Sequence, residues 1–141
     1  HGTPVLYPME AVRDVPDCYQ VSHTHKDTLK ECVSQVVSTM EERLDREEGE
    51  GKGRICVIVP DAQAQLWHAD ESGASALDQR VSYLTAAGSK GLEFDSVVVV
   101  EPGAILDQGS GDLFVALTRA THDLHAVTTT QLPRGMEEWD A

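Results

Sequence analysis

The stretch "FDSVVVVEP", residues 94–102, decides the fold of this chain. Val97 to Val100 form an unbroken β-branched run that alternates with nothing polar, and Pro102 stops it. A strand that is apolar on both sides belongs in the interior of a sheet covered on both faces, which is the habit of parallel sheets. "RICVIVP", residues 54–60, repeats the pattern and also stops at a proline, Pro60. Outward from these two runs, "RVSYLTA" and "DLHAVTTT" read as further strands, with "PVLYPM" and "CYQV" as short extended candidates separated by the turn-forming "RDVPD".

Helical patterns lie between the strands. Leu29, Val33, Val36, Val37, Met40 and Leu44 recur at helical spacing after a capping-box-like start at Thr24 and Asp27. "EERLDREE" reads as the solvated tail of that helix, and "GEGKG" ends it. "DAQAQLWHA" reads as a short helix capped by Asp61, "GAILDQGSGD" as a glycine-containing loop, and the segment from about Asp112 to Thr121 as a helix. Strands alternating with helices predict an α/β domain, a mostly parallel sheet flanked by helices. Function in such sheets collects in loops after the carboxyl ends of strands, here the loops following Thr85 and Glu101.

Composition narrows the function. With 141 residues, residues 1–141 read as a single domain around one core. The formal net charge of −13 argues against a whole domain docked tightly on nucleic acid, which normally presents a basic face. Local contact with a strand through one loop stays open. No apolar run approaches the roughly 20 residues of a membrane span, no secretory signal is visible at "HGTPVLYP", and three scattered cysteines suit reduced, cytoplasmic thiols. His1 in first position makes the chain read as a portion of a longer protein.

Searches for self-contained chemistry fail. "GEGKGR", residues 49–54, resembles a P-loop, but Lys52 is followed by glycine and the segment precedes a strand instead of following one. His23 and His25, and His122 and His125, have no accompanying ligand cluster, so no metal site is expected. The loop holding Gly88, Lys90, Gly91 and Glu93 offers two readings. Its glycines let the backbone approach a phosphate and its lysine supplies a cation, or it is a connecting turn with solvated charges.

"KGLEFDSVVVVEP" and "LFVALTRATHDLHAV" together resemble motifs V and VI of superfamily 1 helicases of the UvrD/Rep type, the second matching from Val115 to Ala120. The resemblance implies a RecA-like three-layer fold, that of the C-terminal motor domain called 2A. It also implies an ATP site shared with an N-terminal P-loop motor domain of the same protein, which supplies the magnesium ligands and the catalytic acid. Carried onto this chain, Arg119 matches the motif VI arginine finger, Glu93 the motif V glutamate that reaches the nucleotide, and Lys90 and Gly91 the loop beside the phosphates. Thr85 matches the start of motif V, where the family contacts the backbone of single-stranded or partly duplex DNA.

The departures are specific. Ala87 stands where the family has the histidine of T-x-H-x-x-K-G, motif IV has no match, and the interval from Val59 to Val81 leaves no room for a 2B subdomain. This layout is similar to the helicase IV and HelD-like branch, some of whose members act on RNA polymerase. The resemblance therefore implies an ATP-dependent DNA helicase or translocase using ATP and Mg2+, with a polymerase-recycling ATPase and a non-catalytic interaction domain as alternatives. By itself, without the P-loop domain, the chain is expected to be inactive.

Overall fold

A computed structural model describes residues 18–136 of the chain, so the strand expected at "PVLYPM" lies outside the described residues. The elements, in order, are β1 (Cys18–His23), α1 (Leu29–Glu48), β2 (Ile55–Val59), α2 (Ala64–Trp67), β3 (Val81–Thr85), α3 (Ala86–Ser89), β4 (Phe94–Val100), α4 (Pro102–Gln108), α5 (Ser110–Leu117) and β5 (Ala120–Thr128). The described strands form one sheet in the order β1-β5-β4-β2-β3, with every pairing parallel.

Both apolar runs occupy the centre, as their two-sided hydrophobicity requires. Ile55 to Val59 and Val97 to Val100 are fully buried. Alternate residues face opposite layers. Ile55, Val57, Val59, Val98, Val100 and Val127 pack with α1 and Trp67, whereas Cys56, Ile58, Val97, Val99, Leu124 and Ala126 pack with α3, α4 and α5. The six apolar positions expected along α1 are all buried. The α/β three-layer architecture is therefore established.

Several local expectations change. The helix α1 begins at Leu29, after a 3-10 turn at Lys26–Thr28 whose cap is His25. Asp61 opens a 3-10 turn behind Pro60 and does not cap through its side chain. The supposed loop "GAILDQGSGD" contains α4, because Pro102 sits in a first helical turn, where it sacrifices no hydrogen bond. Glu101 precedes it in the left-handed region (φ 53°), held there as its carboxylate accepts from Thr129 N at 2.7 Å and Thr129 Oγ1 at 2.6 Å.

The tail of α1 is not simply solvated. Leu44 is buried, Arg43 pairs with Asp123 on β5, and Asp45 accepts from Arg80 at 2.8 Å. The Gly51 amide and Arg80 together hold the Asp45 carboxyl below its ordinary range.

"FVALTRAT" is not one helix. The helix α5 ends at Leu117 and β5 starts at Ala120, so Thr118 and Arg119 form the joint. Sheet pairing overrides local helix preference here, since the Phe94 amide donates to the Arg119 carbonyl at 2.9 Å and opens the β4–β5 ladder.

Candidate nucleotide-facing site

The joint fixes Arg119 in space. Leu113, Ala116 and Leu117 anchor α5 in the core, and Ala120 is already in the sheet, so Arg119 has little backbone freedom. Its side chain is half-buried, not fully turned to solvent as a half-site would be expected to leave it. The guanidinium donates from Nε to Val115 O at 3.2 Å, from Nη1 to Leu92 O at 3.4 Å and from Nη2 to Thr118 Oγ1 at 3.2 Å. Among the described residues no carboxylate pairs with it.

The Leu92 carbonyl brings the two motif segments together. After β3 ends at Thr85 the chain makes the single turn of α3, then returns across the sheet to begin β4 at Phe94. Lys90, Gly91 and Glu93 are exposed on that return, beside the amino ends of β4 and β5 where Arg119 also lies. The loop is shaped by Lys90 N donating to Ala87 O and Leu92 N to Ser89 O, with Gly91 at φ 80°. A side chain at Gly91 would meet nothing within 4 Å, so its backbone is open to a ligand. This cluster sits at the amino edge of the sheet, opposite the carboxyl edge where the loops after Thr85 and Glu101 were expected to carry function.

Gly88 and Thr85 do not join it. A Cβ at Gly88 would stand 2.5 Å from Asp70 O, so that glycine serves packing against the Asp70–Glu71 backbone and not the approach of a phosphate. Thr85 lies at the carboxyl end of β3, fully buried, with its hydroxyl capping α3 by accepting from Gly88 N at 3.2 Å.

A second polar group lies under α1 and escaped sequence reasoning. Asp123 accepts from the Ser96 hydroxyl and from Arg43 at 2.5 Å, and Ser22 Oγ lies 2.7 Å from His125 Nε2. Ser22, Arg43, Asp123 and His125 border a cavity of about 310 Å³. Burial lowers the His125 pKa from the ordinary histidine value, against an opposing pull from Asp123. The spacing of Asp123 and His125, two apart on a strand, was the available signal that they share a face. His122 instead reaches Glu47 at 3.2 Å, so the histidine pair is divided between separate partners. Among the described residues no group of three or more His, Cys, Asp or Glu could hold a metal, and no described helix is long and apolar enough to cross a membrane.

The residues at the amino edge fit part of a nucleotide site. They offer a permanent cation without a counter-ion, an exposed lysine and an open glycine backbone. They include no set of magnesium ligands.

Comparison with known proteins bears on the fold and the family. No curated protein matches the chain. Among solved structures, the C-terminal domain of a possible DNA helicase from Lactobacillus plantarum WCFS1 superposes with a TM-score of 0.58 at 14% identity, covering 99% of this chain and 95% of that one. At that identity the likeness concerns the fold. Residues 12–128 match the family described as the viral superfamily 1 RNA helicase core domain, a span that takes in both motif segments and every described strand. The chain belongs to that family of superfamily 1 helicase core domains.

Proposed function

We propose that this chain is the second motor domain of an ATP-dependent helicase or translocase. Arg119 faces the γ-phosphate of a nucleotide held by a P-loop domain, Lys90 and Gly91 flank the phosphates, and Glu93 reaches the sugar. The observation that carries the reading is the state of Arg119. It is anchored by a helix and a strand, bonded only to neutral acceptors, and joined to the motif V segment through the Leu92 carbonyl. Phosphoryl transfer spreads negative charge over the equatorial oxygens, and a planar guanidinium that cannot deprotonate stabilises that charge.

Magnesium and the attacking water belong in this reading to the other domain. This chain binds and orients from its own side of the cleft. Thr85 is assigned to the nucleic-acid side at the opposite edge of the sheet, where its buried hydroxyl shapes the α3 turn that a strand would meet. The K-G-L-E-F and V-A-L-T-R-A wording favours a UvrD/Rep-like, DNA-directed parent. The polymerase-recycling alternative draws on no observation of its own.

In the full-length protein, Arg119→Ala is expected to lower ATP turnover by roughly 10³–10⁵, the range for arginine fingers, with nucleotide binding little changed. Near-normal turnover would return Arg119 to a structural role. Stimulation of that turnover by single-stranded DNA, measured beside single-stranded RNA, identifies the track.

A further inference from the structure

Among the described residues Arg119 and Arg54, both half-buried, pair with no carboxylate; the Arg54 guanidinium donates to Ala76 O at 2.6 Å and lies over the Phe94 ring, whereas that of Arg119 reaches the Leu92 carbonyl. The protein has 24 acidic residues against 11 lysines and arginines, so carboxylates are plentiful. Arg43 and Arg80, also half-buried, each pair with one. Asp95, close to Arg119 in the β4 ladder, accepts from the Arg54 amide at 2.7 Å. The guanidinium of Arg119 meets only two main-chain carbonyls and a hydroxyl.

Thr118 organises this arrangement. Its single Oγ1–H is shared between Phe114 O at 3.0 Å and Val115 O at 3.1 Å, two of the last four carbonyls of α5. The same oxygen accepts from Arg119 Nη2 at 3.2 Å. Val115 O receives Arg119 Nε on the same side, and Leu92 O receives Nη1 from the neighbouring segment. Each nitrogen of the guanidinium is therefore held at one point, on α5, the joint and the motif V loop in turn.

We propose that Thr118 is a positioning residue whose hydroxyl, with the Val115 and Leu92 carbonyls, forms a neutral cradle that orients Arg119 yet leaves its charge uncompensated. The proposal rests on the reading of Arg119 as the phosphate-facing arginine. A guanidinium–carboxylate pair adds a fixed opposite charge and bidentate geometry to bonds that the charged donor already strengthens. Such a pair would have to be broken before the arginine could engage a phosphate, whereas the carbonyl and hydroxyl acceptors of the cradle carry no charge that phosphate oxygens must displace. Because Leu92 O is one of the three points, any shift of the motif V loop also moves the arginine.

The test has two arms. In the isolated chain, the Arg119 Nη–H signals are followed by NMR in the native protein, Thr118→Val and Thr118→Ser. The valine variant keeps the shape and loses the Nη2 acceptor, so solvent exchange at Nη2 and rotation of the guanidinium about Nε–Cζ should accelerate several-fold. The serine variant keeps the oxygen and should behave as native. Unchanged exchange in the valine variant overturns the cradle, whatever the fate of the ATPase reading. In the full-length protein, Thr118→Val should lower kcat by roughly ten- to a hundredfold, the scale of a misoriented catalytic group, with KM for ATP little moved, and Thr118→Ser should restore turnover. A KM effect without a kcat effect, or a serine variant as poor as valine, also overturns it. If Arg119→Ala retains normal turnover while the NMR arm succeeds, the cradle stands as structure and the phosphate-facing assignment fails.

Discussion

Arg43 on α1 and Asp123 on β5 meet at 2.5 Å across the layer that joins the helix to the sheet. Ser96 on β4 completes the contact, donating to Asp123 and accepting from Arg43 Nη2 at 3.0 Å. Three elements are thus tied by polar contacts in a layer otherwise held by apolar side chains. Asp123 is buried and Arg43 only partly exposed, so water can do little for Asp123, and only something for Arg43, if the partner is removed.

Replacing one partner therefore costs more than replacing both. Arg43→Met should destabilise the isolated chain by about 3 kcal/mol, the low end for a broken buried pair because Arg43 keeps some solvent contact. Arg43→Met with Asp123→Leu should recover much of that loss. Urea unfolding of the two variants checks it; a double variant no better than the single would deny the coupling.

Stability should fall in mild acid through His125. Its pKa is lowered in the folded chain, mainly by burial, so the folded state holds it neutral while the unfolded state gains a proton below about pH 6.5. The loss begins near that value as pH falls and levels off once pH passes below the lowered folded value. In His125→Gln the urea midpoint should decline less across that window. Identical slopes would show that His125 does not contribute.

The two glycines of the segment between β3 and β4, Gly88 and Gly91, should separate by experiment. Gly88→Ala drives a methyl against the Asp70 carbonyl, backbone against backbone, and should cost roughly 3 kcal/mol, the upper part of the overpacking range. Gly91→Ala meets open space and incurs only the strain of φ 80°, about 1 kcal/mol. Thermal unfolding of the isolated chain distinguishes them. ATP turnover of the full-length protein should be more sensitive to Gly91→Ala than the melting temperature is.

Thiol reactivity should follow depth. Cys56 lies in the central strand β2, fully buried, and burial raises its pKa far above that of a free thiol. Cys32 on α1 is half-buried and raised by burial as well. Residue-resolved alkylation of the native chain should modify Cys32 well before Cys56. Early labelling of Cys56 would mean that the sheet opens readily.

What could be read from the residues divides along the range of the forces. The valine runs of β2 and β4 and the apolar stripe of α1 declare themselves because burial is written in side-chain type. The end of α5 does not, since Thr118 to Thr121 look helical until β4 claims them through a pairing with a distant segment. α4 was obscured by Pro102 and Gly103, residues more familiar in loops. In the site, Arg119, Lys90, Gly91 and Glu93 are visible as motif letters. Gly88 carried the same letter as Gly91 for a different reason. The Leu92 and Val115 carbonyls left no trace in sequence, because every residue has one.

The sheet order has a consequence for synthesis. Among the described residues β1 has β5 as its neighbour, so the first strand pairs with the last. While the chain is being made, β2, β4 and β3 can assemble as soon as they emerge, but β1 must wait for Ala120–Thr128. Until then the two backbone edges that β5 will cover, one on β1 and one on β4, are open to the wrong strand. A ribosome stalled before β5 would release a chain prone to clump, and the charges of Asp123 arrive only with the segment that closes the gap.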